Sequence, residues 1–109
     1  MRKEQVAEVL DQMPAQVAAF DDSGIRTAIN LLSGSGLLPT FIDVIRTDVQ
    51  AAIQVLEVIW IIDSQVRAAL INPTKVSTAY NATIKLLPVT ATPGQVTDAI
   101  IAFLSKLLQ

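Results

Sequence analysis

The chain has 109 residues, of which 51% are hydrophobic and only 17% are charged, and its mean hydropathy is +0.49. A typical soluble domain carries about 25% charged residues, so this chain is short of charged groups to cover its surface. Its length predicts one domain over residues 1–109. The net charge is −2 and no basic cluster exceeds the pair Arg2 and Lys3, which argues against a nucleic-acid partner.

The first predicted elements are two short helices that meet at Pro14. Because proline removes an amide donor and restricts the residue before it, we expect one helix up to about Met13 and a second from Pro14, with a single kinked helix as the alternative. Apolar residues recur through this region at the three- and four-residue spacing of one helix face. These residues are Val6, Leu10, Met13, Val17 and Phe20.

A third helix is predicted before the segment SGSG at residues 33–36. The side chains of Asp21, Asp22 and Ser23 can accept hydrogen bonds from the amides of its first turn. Ile25 to Leu32 then follow helical spacing, and the two glycines end the helix. No Gly-Lys-Ser/Thr motif follows SGSG and no predicted strand precedes it, so we expect a connection and not a phosphate-binding loop.

The most unusual stretch is residues 40–71, which contain neither proline nor glycine. A stripe of mostly polar residues keeps one helical phase from Asp43 to Ala68, which favours a long apolar helix as the centre of the fold. Such a helix would measure about 48 Å, more than a compact domain of this size accommodates easily, so a bend near Asp63 is the alternative.

Local signals in the same stretch favour an interruption. Thr47 with Gln50 matches a capping box, and the pair Asp63–Ser64 can cap a new helix. The β-branched residues of the segment 55–62 leave a strand there as a further alternative.

Two more helices are predicted towards the C-terminus. Asn72–Pro73 stops the preceding element and places proline in the first turn of a helix whose buried face is Val76, Tyr80, Ile84 and Leu87, before Pro88 ends it. Thr92, Pro93 and Gln95 form a capping signature for the last helix, whose apolar arc is wide enough to contact two neighbours. The expected fold class is all-α, a compact bundle of five to seven helices around the long central helix of residues 40–71.

The sequence contains no constellation typical of catalysis. Cysteine and histidine are both absent, and no pair of carboxylates has the spacing of a metal motif. We therefore expect no catalytic residue, no cofactor and no metal ligand, and we interpret the protein as a non-enzyme. Trp60 is interpreted first as a core residue and second as an interface anchor. Asp63 and Arg67 are four residues apart and can pair, either in solvent or buried at an interface.

The scarcity of charge and the broad apolar faces of residues 51–62 and 96–108 predict a structural or interaction protein. It would act by forming a homo-oligomer or by joining a larger complex, as a small virion or adaptor component does. The candidate interface residues are Val55, Ile59, Trp60, Ile62, Asp63, Arg67, Ile101, Leu104 and Leu108.

Two alternatives stay open. A membrane-peripheral protein could insert residues 51–62 or the C-terminal helix into lipid, although that helix offers only Lys106 against Asp98 as its charges. A small-ligand carrier would need an apolar cavity of at least about 300 Å³. The acidic residues that follow Arg2 and Lys3 do not fit a signal peptide, and no apolar run is long enough to span a membrane, so the expected location is cytoplasmic or particle-associated.

Overall fold

The computed structural model describes residues 17–18, 22–61 and 64–109. It is an all-helical, compact globule with a radius of gyration of 12.6 Å. Within the described residues the only departure from helices and loops is one pairing of two-residue strands, β1 (Val17–Ala18) and β2 (Trp60–Ile61). The helices are α1 (Asp22–Gly34), α2 (Leu38–Thr47), α3 (Val49–Ile59), α4 (Ser64–Leu70), α5 (Pro73–Ala82) and α6 (Pro93–Leu107), with a 3-10 turn at Ile84–Leu86.

The prediction of one long helix over residues 40–71 is wrong. The stretch contains most of α2 and all of α3 and α4, and the first break lies at Asp48, whose backbone is extended with φ −152° and ψ 121°. The Asp48 carboxylate accepts a hydrogen bond from the Gln50 amide at 2.9 Å and so caps α3. The break allows two short helices to bury separate apolar faces in one core, which a straight rod of that length cannot do.

The second break is the extended pair Trp60–Ile61. These residues pair in parallel with Val17–Ala18, in the register Val17 to Trp60 and Ala18 to Ile61. The helix predicted from Pro14 is therefore wrong at Val17 and Ala18, because a partner strand supplies their backbone with hydrogen bonds that a helix would otherwise provide. The helix predicted up to Met13 and the bend predicted near Asp63 lie outside the described residues.

The end of α1 follows the local sequence. Gly36 has φ +74°, which is the left-handed region that glycine adopts without strain. The Leu37 amide donates to the Leu32 carbonyl at 2.9 Å and the Gly36 amide to the Ser33 carbonyl at 3.1 Å. This pair of bonds is a Schellman motif, and it confirms that SGSG ends α1.

The predicted starts of the last two helices are also confirmed. The Asn72 side chain accepts a hydrogen bond from the Lys75 amide at 3.2 Å, with Pro73 in the first turn of α5. Thr92 and Gln95 form a reciprocal capping box at the start of α6, with distances of 2.9 and 3.2 Å. Each cap satisfies amides that have no partner within their own helix.

The centre of the fold is the C-terminal helix α6 and not residues 40–71. Helix α6 contacts α1, α4, α5 and the 3-10 turn. Its fully or almost fully buried side chains include Val96, Ile100, Phe103 and Leu107. The broad apolar arc predicted for this helix is therefore used by several neighbours at once.

Tyr80 connects α5 to α2 across the core. Its hydroxyl donates a hydrogen bond to the Ile45 carbonyl at 2.7 Å, and the ring is buried. Burial raises the pKa of the Tyr80 hydroxyl above its ordinary value; the nearby Asp48 carboxylate raises it further and Arg46 opposes the rise. Tyr80 is therefore held as a neutral donor.

No individual helix in the described part of the chain has both the length and the hydropathy of a membrane span. Residues 23–34 of α1 and helix α2 together have the length and composition of a broken membrane span, with an angle of 118° between them. The large apolar side chains of this pair, such as Ile29 and Phe41, are buried in the core.

Candidate interaction surface

The candidate interface residues of the C-terminal half occupy different positions. Leu104 is only 1% exposed and belongs to the core of this chain. Ile101 is half-buried and packs against that core, whereas Leu108 is 40% exposed and Arg67 is exposed on α4. Of these four, Leu108 and Arg67 are accessible to a partner.

The remaining candidates cluster around the second break. Val55 and Ile59 belong to α3 and Trp60 to β2, but their side chains lie outside the described part of the molecule. Ile62 and Asp63 lie outside the described residues altogether, and so does the proposed pairing of Asp63 with Arg67. An interface role for this group stays a prediction.

Two adjoining grooves lie where α4, the start of α5 and the end of α6 meet. The larger has a volume of about 510 Å³ and the smaller about 300 Å³. Asn72 and Lys75 line both of them, which makes the grooves neighbours on one surface. Both are partly open to solvent and have polar as well as apolar walls, so neither is the enclosed apolar cavity expected of a ligand carrier.

The walls of the two grooves combine cationic, polar and apolar groups. Lys75 enters from the first turn of α5, and Lys106 from the last turn of α6 lines the smaller groove. Leu108 lines the larger groove, with the buried Leu107 behind it. No acidic side chain contributes to the lining of either groove. The surface is suited to a partner that offers carboxylates beside apolar groups.

Four large apolar side chains in the same half of the chain are exposed. Ile71 is 80% exposed and immediately precedes Asn72, while Leu86 is 70% exposed on the 3-10 turn. Together with Val89 and Leu108 they are the exposed large hydrophobic residues of the described part of the molecule, and all four lie after residue 70.

Sequence reasoning missed Ile71, Leu86, Lys75 and Lys106 as surface residues of interest. Ile71 stands directly before the Asn72–Pro73 stop, where the helical pattern ends and its face is no longer defined. Its position at the end of a predicted helix was the one feature of the sequence that could have indicated its exposure. The lysines are separated in the sequence by most of two helices, so only the fold brings them to one groove.

Among the residues that the structure describes, no three acidic side chains are grouped as a metal site would need. The polar groups of the surface are amides, hydroxyls and ammonium groups, which bind by hydrogen bonds and charge. No family model matches the chain, and neither does any curated protein or solved structure. The surface itself is therefore the basis for a functional proposal.

Proposed function

We propose that this chain is a non-enzymatic helical protein that functions by assembly, with further copies of itself or within a larger complex such as a particle or an adaptor assembly. The observation that carries the proposal is the exposure of two large apolar side chains, Ile71 at 80% and Leu108 at 40%, the second of them in the wall of the larger groove. Burying a large aliphatic side chain contributes about 1.5–3 kcal/mol, so leaving several in water favours association.

The closed core strengthens this proposal. Side chains from α1, α2, α5 and α6 already form one continuous cluster, in which residues such as Ile25, Phe41 and Phe103 have no exposure. Ile71 and Leu86 are not members of that cluster. They are thus apolar groups that folding of the described part of the chain leaves in solvent.

Sedimentation velocity at micromolar concentrations tests the proposal. We expect the wild-type chain to sediment as a multiple of its 11.7 kDa mass, or as a heavier mixed species once its partner is added. The double variant Ile71→Ser/Leu108→Ser should shift the equilibrium towards monomer, while Thr90→Ser, an exposed polar control, should leave it unchanged.

A strictly monomeric wild-type chain without a partner contradicts the proposal. Flotation with liposomes then separates the alternatives, because a membrane-peripheral protein floats with the vesicles and a purely protein-binding one does not.

A further inference from the structure

We infer that the two adjoining grooves, lined by Lys75, Lys106 and Leu108, form the basic side of a head-to-tail contact in which they dock the acidic half of a second copy of this chain. The inference rests on the proposed function and specifies its partner. Three features support it: the charge of the two halves, the lining of the grooves, and the exposed acids at the start of α3 and on it.

The two halves of the chain carry opposite charge. Residues 1–63 contain nine acids and four bases, a net charge of −5, whereas residues 64–109 contain one acid and four bases, a net charge of +3. The two values sum to the chain's −2. Complementary charge speeds encounter and sets the register of a contact more than it adds affinity, so it selects this orientation over others.

The grooves on the basic half offer both charged and apolar groups to a partner. Lys75 and Lys106 supply ammonium groups from two different helices, and the exposed Leu108 adds apolar surface to the larger groove. Ile71, which precedes the lining residue Asn72 in the chain, is 80% exposed. The acidic half of this chain, with nine acids against four bases, is a partner of complementary charge for these lysines.

The acidic half presents matching groups on α3. Gln54 and Glu57 lie about one turn apart on this helix and are both exposed, while Ala52 and Leu56 on the same helix are buried. Asp48, at the start of α3, is exposed as well. The carboxylates of Asp48 and Glu57 are therefore accessible to the lysines of another copy.

Different surfaces meet in this contact, so it is heterologous. After one contact, one copy keeps an unused acidic side and the other an unused basic side, so repetition produces a ring or an open chain instead of a closed two-fold dimer. Because the charged groups are exposed, salt screens their attraction over a distance of about 8–10 Å, and assembly should weaken as ionic strength rises.

Two complementary variants test the inference by analytical ultracentrifugation. Lys75→Glu/Lys106→Glu reverses the charge of the basic side, and Asp48→Asn/Glu57→Gln neutralises the acidic side while retaining a residue that can cap α3. Each variant alone should be monomeric, with association weakened at least about tenfold. An equimolar mixture retains one intact pair of surfaces and should form a dimer and nothing larger.

Lys85→Glu is the matched control, because it makes the same kind of substitution in the same half of the chain but outside both grooves. It should assemble like the wild type, and circular dichroism should show all variants folded. If the wild type assembles but the mixture stays monomeric, the head-to-tail contact is overturned while the proposed function stands. If the wild type is monomeric, the inference is also overturned. Flotation of the wild type, but not of Lys75→Glu/Lys106→Glu, with anionic vesicles would then show that the grooves bind lipid.

Discussion

Tyr80 is the residue whose single hydrogen bond connects two separate parts of the core. Ile45, its acceptor, lies in the last turn of α2, where backbone carbonyls have no amide one turn further on. The tyrosine hydroxyl supplies the missing donor from α5. Because the group is buried, losing that donor leaves a polar atom without a partner, which costs more than an exposed hydrogen bond does.

The substitution Tyr80→Phe should lower the free energy of unfolding by about 1–2 kcal/mol at neutral pH, since the ring still packs but the Ile45 carbonyl loses its donor. Urea denaturation measures the change. Asn81→Ala is the matched control in the same helix, because it removes an exposed hydrogen bond to Ser77. The control should change stability by less than about 0.5 kcal/mol.

The same residue predicts a pH dependence. Its pKa is raised in the folded chain, so the folded state holds the proton more tightly than the unfolded state does, and this contribution is complete below the ordinary value of 10.0. It is lost as the pH rises from there through the raised pKa. The stability difference between wild type and Tyr80→Phe should therefore shrink above pH 10, and ultraviolet absorbance of this single tyrosine reports its ionisation directly. A constant difference up to strongly alkaline pH would contradict the assignment.

At the scale of helices and strands, the sequence predicted what depends on neighbouring residues. The caps of α5 and α6 were found correctly because donor and acceptor lie three residues apart, as in Asn72 with Lys75 and Thr92 with Gln95. The end of α1 was also predicted from a local feature, because Gly36 adopts a backbone conformation that other residues rarely adopt.

Of the two breaks in residues 40–71, the first is capped locally by Asp48, whereas the second depends on a distant part of the chain. Helical phase alone did not reveal that Asp48 is extended, because the polar stripe continues across it. Trp60–Ile61 is held by Val17–Ala18, and no local pattern contains that pairing. Tertiary packing therefore overrode a helical periodicity that was present in the sequence.

Asp48→Ala tests the first break. Removing the carboxylate leaves the Gln50 amide without its acceptor and should lower the free energy of unfolding by about 1 kcal/mol, whereas Asp48→Asn should cost little because asparagine is an equally good cap. Guanidinium denaturation compares the two variants. Equal stabilities, or a gain of helical signal in Asp48→Ala, would show that α2 and α3 can join and that the cap does not enforce the break.

For the whole molecule, the C-terminal helix α6 shows why the candidate surface could be predicted only in part. A wide apolar arc is consistent both with several neighbours and with a free interface, and the sequence does not distinguish them. In the fold, α1, α4 and α5 pack around α6 and bury Leu104, while Leu108 follows the end of the helix and remains 40% exposed. The exposure of Ile71 and the meeting of Lys75 with Lys106 in one groove depend equally on how the helices pack.

Leu104→Ala and Leu108→Ala separate the core of this helix from its surface. Leu104 is fully surrounded, so its truncation should lower the free energy of unfolding by about 2–5 kcal/mol, through lost burial and the cavity that remains. Leu108→Ala should change stability by no more than about 0.5 kcal/mol but should weaken self-association, because its side chain lies in the wall of the larger groove. Denaturation and sedimentation measured on both variants give opposite patterns if this division holds, and a Leu108→Ala chain that unfolds easily yet assembles normally would place Leu108 in the core instead.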